Sequence, residues 1–151
     1  MAKHFKLTNE TKVNAFGVTL FRIECTIDCK WTKVGDKGGW VEKEENIDGN
    51  AWVYGDAEVY GDAKVYGNAK VNGNAWVNGN ADYCCFQSFG SRYGTTTVFR
   101  EKDGNLRVRC GCFNGTLEGF ADKVQQTHGD NEYGEVYKAI IEVIKLRFNV
   151  Q

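Results

Sequence analysis

Arginine, hydroxyl and tyrosine side chains crowd into one stretch of this chain. Residues 90–97 read Gly-Ser-Arg-Tyr-Gly-Thr-Thr-Thr, so Ser91, Arg92, Tyr93, Thr95 and Thr97 fall within one loop and the strand it opens. Arg100, Arg107 and Arg109 follow a few residues later. Guanidinium forks, hydroxyls and loop amides are the groups that hold a phosphate or another small anion. Tyr93 adds a ring face on which a base can stack. Alternation in a hairpin puts Arg107 and Arg109 together on the solvent side, with Arg100 on the neighbouring strand. These eight residues are the ligand-binding candidates. The competing reading is a solvated hairpin face with a flexible loop.

Other reactive side chains point elsewhere. Of the six cysteines, only Cys25 and Cys29 have the spacing of a zinc knuckle. Cys84 and Cys85 are adjacent and in a strand face opposite ways. Cys110 and Cys112 continue the apolar face of Leu106 and Val108, where cysteine acts as a small hydrophobe. Core packing is the favoured role for these thiols, and no metal site is expected. His4 and His128 are the only histidines, and His128 sits in a Gly-containing connection that suits a capping or surface role. No catalytic residue is assigned and no cofactor is expected.

The totals exclude some partners. Nineteen basic against twenty acidic side chains leave a net charge of -1, without the strongly basic footprint of a nucleic-acid binder. No run of apolar residues is long enough to span a membrane, and residues 1–6 lack the apolar core of a signal peptide. Cysteines without such a signal are expected to stay reduced, with the cytoplasm as the location. Eighteen glycines and no proline point to many tight turns.

Those glycines belong to a repeat. Gly-Asp/Asn-Ala recurs every six residues, at 49–51, 55–57, 61–63, 67–69, 73–75 and 79–81. Two residues after each alanine comes Val53, Val59, Val65, Val71, Val77 and then Tyr83; Ile47 and Val41 extend the series backwards. Valine favours extended, half-buried backbone. Alanine is small enough to point inward where a wall bends, and Gly with Asp/Asn makes the corner. The pattern resembles the left-handed parallel β-helix of hexapeptide-repeat proteins, in which three hexapeptides complete a triangular coil. On that resemblance Trp52 stacks over Lys70, Glu58 over Trp76 and Lys64 over Asp82, roughly 4.8 Å apart. The corners stack Asn50 on Asn68, Asp56 on Asn74 and Asp62 on Asn80. Residues 41–82 make only a little over two coils, which leaves strand edges that need caps. Tyr54, Tyr60 and Tyr66 project from the three outward faces, for packing against the C-terminal segment or another subunit of a homo-oligomer, a trimer or a multiple of one.

The flanks complete the architecture. Residues 18–27 are rich in β formers, and Gly35, Gly38 and Gly39 mark turns into the first coil. After the repeat, residues 82–89 and 95–100 read as strands around the loop. Asp103-Gly104 centres a hairpin turn, and residues 106–113 pair back. Thr116 can cap a helix to about Gln126. A last helix buries Tyr133, Val136, Tyr137, Ile140, Ile141, Ile144 and Phe148. The expected fold is mainly β: a cap at 1–40, a short left-handed β-helix at 41–82, and a C-terminal β-hairpin plus two-helix α+β unit at 83–151.

The lead Gly-Asp-Lys-Gly-Gly-Trp-Val-Glu-Lys-Glu-Glu-Asn-Ile, followed by Gly-Asn-Ala-Trp-Val-Tyr-Gly, is similar to a family of small bacteriophage and prophage proteins, over residues 18–82. That family has no general catalytic assignment. Hexapeptide-repeat acyltransferases use a histidine base between coils, whereas His4 and His128 lie outside them and the coils are too few for an acyl-CoA groove. A non-enzymatic protein is therefore expected. The resemblance implies a phage accessory protein in the host cytoplasm, sequestering a phosphorylated, nucleotide-like host signal as a counter-defence sponge. The alternatives are a direct inhibitor of a host defence protein, a structural assembly part and, last, an acyltransferase-like enzyme.

Overall fold

A six-residue repeat with one β-branched residue and one glycine corner leaves room for only two residues of regular strand per repeat. That is what the computed structural model contains; it describes residues 3–28, 32–67, 69–73, 75–79 and 82–150. After a long hairpin, β1 (Phe5–Val13) and β2 (Thr19–Cys25), and strand β3 (Lys37–Val41), come the two-residue strands β4 (Trp52–Val53), β5 (Glu58–Val59), β6 (Lys70–Val71) and β7 (Trp76–Val77). The chain is mainly β and ends in two helices.

The short strands pair in parallel at an offset of three hexapeptides. Trp40 and Val41 pair with Glu58 and Val59, which pair with Trp76 and Val77. On a second side Trp52 and Val53 pair with Lys70 and Val71, and on a third Ile47 bridges Val65. Trp52 over Lys70 and Glu58 over Trp76 are thus in the expected register. The step from Lys64 to Asp82 adjoins residues outside the described set, and Asp82 is ion-paired to Arg100 at 3.7 Å. The corner stacks involve residues 68, 74 and 80, which also lie outside it, as does Cys29 of the zinc-knuckle spacing. The largest sheet, β1-β2-β3-β5-β7, is mixed, antiparallel up to β3 and parallel beyond.

Valine and alanine alternate inside. Ile47, Val53, Val59, Val65, Val71, Val77, Ala51, Ala57, Ala69 and Ala75 are fully buried, and each valine removed from water contributes about 1.5–3 kcal/mol before entropy is counted. Corners fall to glycine because the backbone there is left-handed. At Gly61, φ is 64° and a Cβ would collide with the carbonyl of Asn78. Asn46 plugs the first corner from within. Its Oδ1 accepts from the amides of Glu42 and Lys43 (3.2 and 2.9 Å), and its Nδ2 donates to the carbonyls of Gly61 and Ala63 (3.2 and 2.8 Å). All the bonding capacity of a fully buried amide is used.

Both open ends are covered by the chain itself. At the first, Phe5, Ile23 and Cys25 join the repeat core, and His4 Nε2 lies 2.7 Å from the Ala51 carbonyl oxygen. At the other, Tyr83 and Phe99 close it. Gly38 and Gly39 are not turn residues: they lie inside β3, where a Cβ would press on Ile23, Val53 and the Ala57 carbonyl. Only Gly35, at φ 92°, makes the expected turn. Two of the three tyrosines are also covered within the chain. Tyr60 is buried with Leu20 and Trp40 and is stacked on by Phe16; Tyr54 accepts a hydrogen bond from Arg109; Tyr66 stays half exposed, its edge against Tyr83.

The C-terminal unit comprises strands β8 (Tyr83–Phe89), β9 (Gly94–Arg100), β10 (Leu106–Cys110) and β11 (Phe113–Gly115), then helices α1 (Leu117–His128) and α2 (Glu132–Phe148). The strands form one antiparallel sheet in the order β11-β10-β9-β8, and the helices lie over it. The stretch 106–113 does not run through as one strand. It breaks at a tight turn on Gly111, φ 57°, so Cys112 is exposed instead of continuing the apolar face. Thr116 caps α1 by accepting from the Gly119 amide, as its type suggested. On α2, Tyr137, Ile140, Ile141, Ile144 and Phe148 are buried, but Val136 is exposed. No described helix is long and apolar enough to cross a membrane.

The sheet packs on both faces. Val98, Leu106 and Val108 pack under the helices, while Phe99 and Tyr83 pack on the end of the repeat. Cys84 and Cys85 point to opposite faces accordingly, the first toward the helices.

Candidate functional site

Burial of both sheet faces disperses the expected arginine cluster. Arg107 and Arg109 lie opposite Phe99 and Thr97, on the face that packs against the repeat and not on a solvent side. Arg109 donates to the Tyr54 hydroxyl, and Arg107 ion-pairs with Glu101 at 3.2 Å and donates to Asn114 Oδ1 at 3.1 Å. Thr97 is buried on the same face, 3.4 Å from the Lys70 amide. Arg100 lies on the other face, donating to the Phe148 carbonyl at 2.9 Å beside its ion pair with Asp82. Thr95 is half-buried, and Tyr93 stands 74% exposed in the loop. Only Ser91 and Arg92 remain at a concave surface.

That surface is a cleft of about 340 Å³ between the β8–β9 loop, the β10–β11 turn and α1. Its apolar floor includes Phe89, Phe113, Phe120, Val124 and Tyr137; Ser91, Arg92, Lys123, Thr127 and His128 supply the polar rim. The helix places its share by periodicity, since residues 120, 123, 124 and 127 recur on one face of α1. The loop is shaped by left-handed backbone at Ser88, Gly90 and Tyr93. At Gly90 any side chain would strike the Tyr137 hydroxyl.

The aromatic floor is tightly linked. Phe113 meets Phe120 at 5.5 Å between ring centroids, Phe120 meets Tyr137 edge-on at 5.7 Å, and His128 stacks on Tyr137 at 5.9 Å. Burial, and then the neighbouring Cys110 thiol, raises the Tyr137 phenol well above its ordinary value, so it stays protonated as a donor. Its hydroxyl is 3.5 Å from the Phe89 carbonyl, and Thr96 donates to Cys110 Sγ at 3.1 Å. Among the described residues no carboxylate lines the cleft, and neither Arg92 nor Lys123 makes an ion pair. Two cations, two hydroxyls and an imidazole above aromatic rings can hold an anion attached to a flat or apolar body.

Lys123, Thr127 and His128 were missing from the sequence-based site. The signal was the spacing 120-123-124-127; ending the helix near Gln126 left Thr127 and His128 off it, and nothing local showed that the face carrying Lys123 meets the β8–β9 loop. Compared with protein-family models and with curated proteins, the chain matches none.

Proposed function

We propose that the protein is a non-catalytic binding protein that sequesters a small phosphorylated, nucleotide-like ligand in the cleft between the hairpin turns and α1. Residues 41–82 act as a scaffold, a left-handed parallel β-helix of little more than two coils, capped by residues 1–40. Residues 83–151 carry the site. Parallel pairing on three sides at one offset supports the β-helix reading. The observation that carries the functional reading is the meeting of Arg92 and Lys123 with Ser91, Thr127 and His128 above an aromatic floor. Arginine suits bidentate phosphate contact and lysine supplies a point charge, while the rings suit a base or another flat group. The similarity of residues 18–82 to phage and prophage proteins supports a setting in which the ligand is a host signal.

Melting curves with ADP-ribose, a cyclic dinucleotide, AMP and inorganic phosphate test this. A ligand at about 100 times its Kd stabilises by about 2.7 kcal/mol, a rise of roughly 5–10 °C for a chain of this length. The variant Arg92→Ala/Lys123→Ala changes two exposed side chains and should fold normally while losing the rise. If none of the four probes moves the melting temperature, or the double variant responds like the parent, the cleft is not a phosphate site.

A further inference from the structure

Helix α2 has two apolar faces, and only one is used inside the chain. Tyr137, Ile140, Ile141, Ile144 and Phe148 pack against α1 and the sheet. On the outer side Val136, Val143 and Leu146 are 40%, 48% and 82% exposed, with Ala139 on the same side between them. Single exposed aliphatic residues are ordinary on a surface. These four are spaced three, four and three apart, the a/d pattern of a helix that meets another helix.

We propose that this face is the contact between two copies of the chain, with their α2 helices packed antiparallel about a two-fold axis near residue 141. The stripe is symmetric about that point: 136 and 146 lie five residues either side, 139 and 143 two. A two-fold antiparallel pair therefore brings Leu146 of one copy level with Val136 of the other, and Val143 level with Ala139. An isologous contact of this kind is self-complementary.

Charge selects a second copy, and the antiparallel direction. The first turn of α2 carries Glu132 and Glu135, the last Lys145 and Arg147. Antiparallel packing lays the acidic end of one helix along the basic end of the other and opposes the two macrodipoles; parallel packing sets like on like. Glu142, close to the axis, is held by Lys145 of its own helix at 3.4 Å. A seventeen-residue helix is about 25 Å long. One helix face covers less than the roughly 800 Å² per partner of a standard interface, so the dimer is weak and reversible.

Sedimentation velocity of the full chain through the micromolar range should show monomer passing into dimer as concentration rises. Val143→Asp and Leu146→Glu, at exposed positions, should raise the dissociation constant at least ~10-fold while circular dichroism and melting temperature stay at the parent's values. A chain that is monomeric at every concentration overturns the proposal. So does a trimer, or a dimer that both substitutions leave intact.

Discussion

Replacing Lys12 by methionine should destabilise the protein through a residue that is not replaced. Glu58 is 3% exposed, in a ladder between Trp40 and Trp76, and its Oε2 is 3.1 Å from Lys12 Nζ. That ammonium also sits 4.7 Å from the centroid of the Trp40 ring. The other oxygen, Oε1, is buried and has no hydrogen-bond partner among the described residues. Removing one partner of a buried ion pair costs about 3–5 kcal/mol, because the remaining charge stays out of water. Here the Lys12 side chain is 32% exposed, so water already screens part of the pair, and about 2–3 kcal/mol is the appropriate figure. The same loss lowers the melting temperature by roughly 5–10 °C. Urea unfolding at neutral pH, followed by circular dichroism, reads it directly. Glu58→Gln removes the charge and should cost about 1 kcal/mol. In that background Lys12→Met should cost almost nothing more, a coupling of about 2–3 kcal/mol. A Lys12→Met penalty below about 0.5 kcal/mol, or one that persists undiminished in the Glu58→Gln background, refutes the reasoning.

Two further predictions separate backbone strain from crowding and exposure from burial. Gly55→Ala and Gly61→Ala both put a side chain on left-handed backbone, at φ 68° and 64°, costing about 1 kcal/mol each. The Gly55 site is otherwise open, with the Gly73 amide nitrogen at 3.5 Å, whereas at Gly61 the new methyl would collide with Asn78. Gly61→Ala should therefore lose at least about 1 kcal/mol more in the same unfolding assay, and equal losses would remove the crowding argument. Burial pushes the Cys84 thiol up to about 11 from an ordinary 9.0, while Cys112 is exposed. Mass mapping after iodoacetamide at mildly alkaline pH should find Cys112 alkylated and Cys84 spared; equal labelling would count against the burial. The folded-state value lies above the unfolded one, so this thiol's stabilising contribution is complete below about pH 9 and is lost as pH rises toward 11.

The repeat was legible because each of its positions answers to a local rule. Valine extends the chain, glycine takes the left-handed corner with least strain, and with three hexapeptides to a coil, as the resemblance implied, counting places Trp52 over Lys70 and Glu58 over Trp76. Thr116 and the Tyr137–Phe148 stripe were legible for the same reason: a cap and a helical period are written within a few residues. Strand β1 was not, since Thr-Asn-Glu-Thr-Lys carries no clear alternation and its pairing with β2 slips between Leu7 and Thr11.

The binding site depends on which face of a strand meets which neighbour, and alternation alone does not say that. Arg107 and Arg109 share a face, as their spacing requires, but the repeat end packs on that face and its Tyr54 engages Arg109, while Glu101 and Asn114 of the sheet itself hold Arg107. Gly38 and Gly39 looked like turns because nothing local reveals that another strand lies against them. Lys123, Thr127 and His128 join Ser91 and Arg92 only because α1 packs across the hairpin. By itself the sequence determined the repeat, its glycine corners and the Thr116 cap, all set by residues close together in the chain. Tertiary structure alone decided which arginines were absorbed into packing and which stayed at a cleft, because contact between segments distant in sequence is settled by what each exposed face must bury.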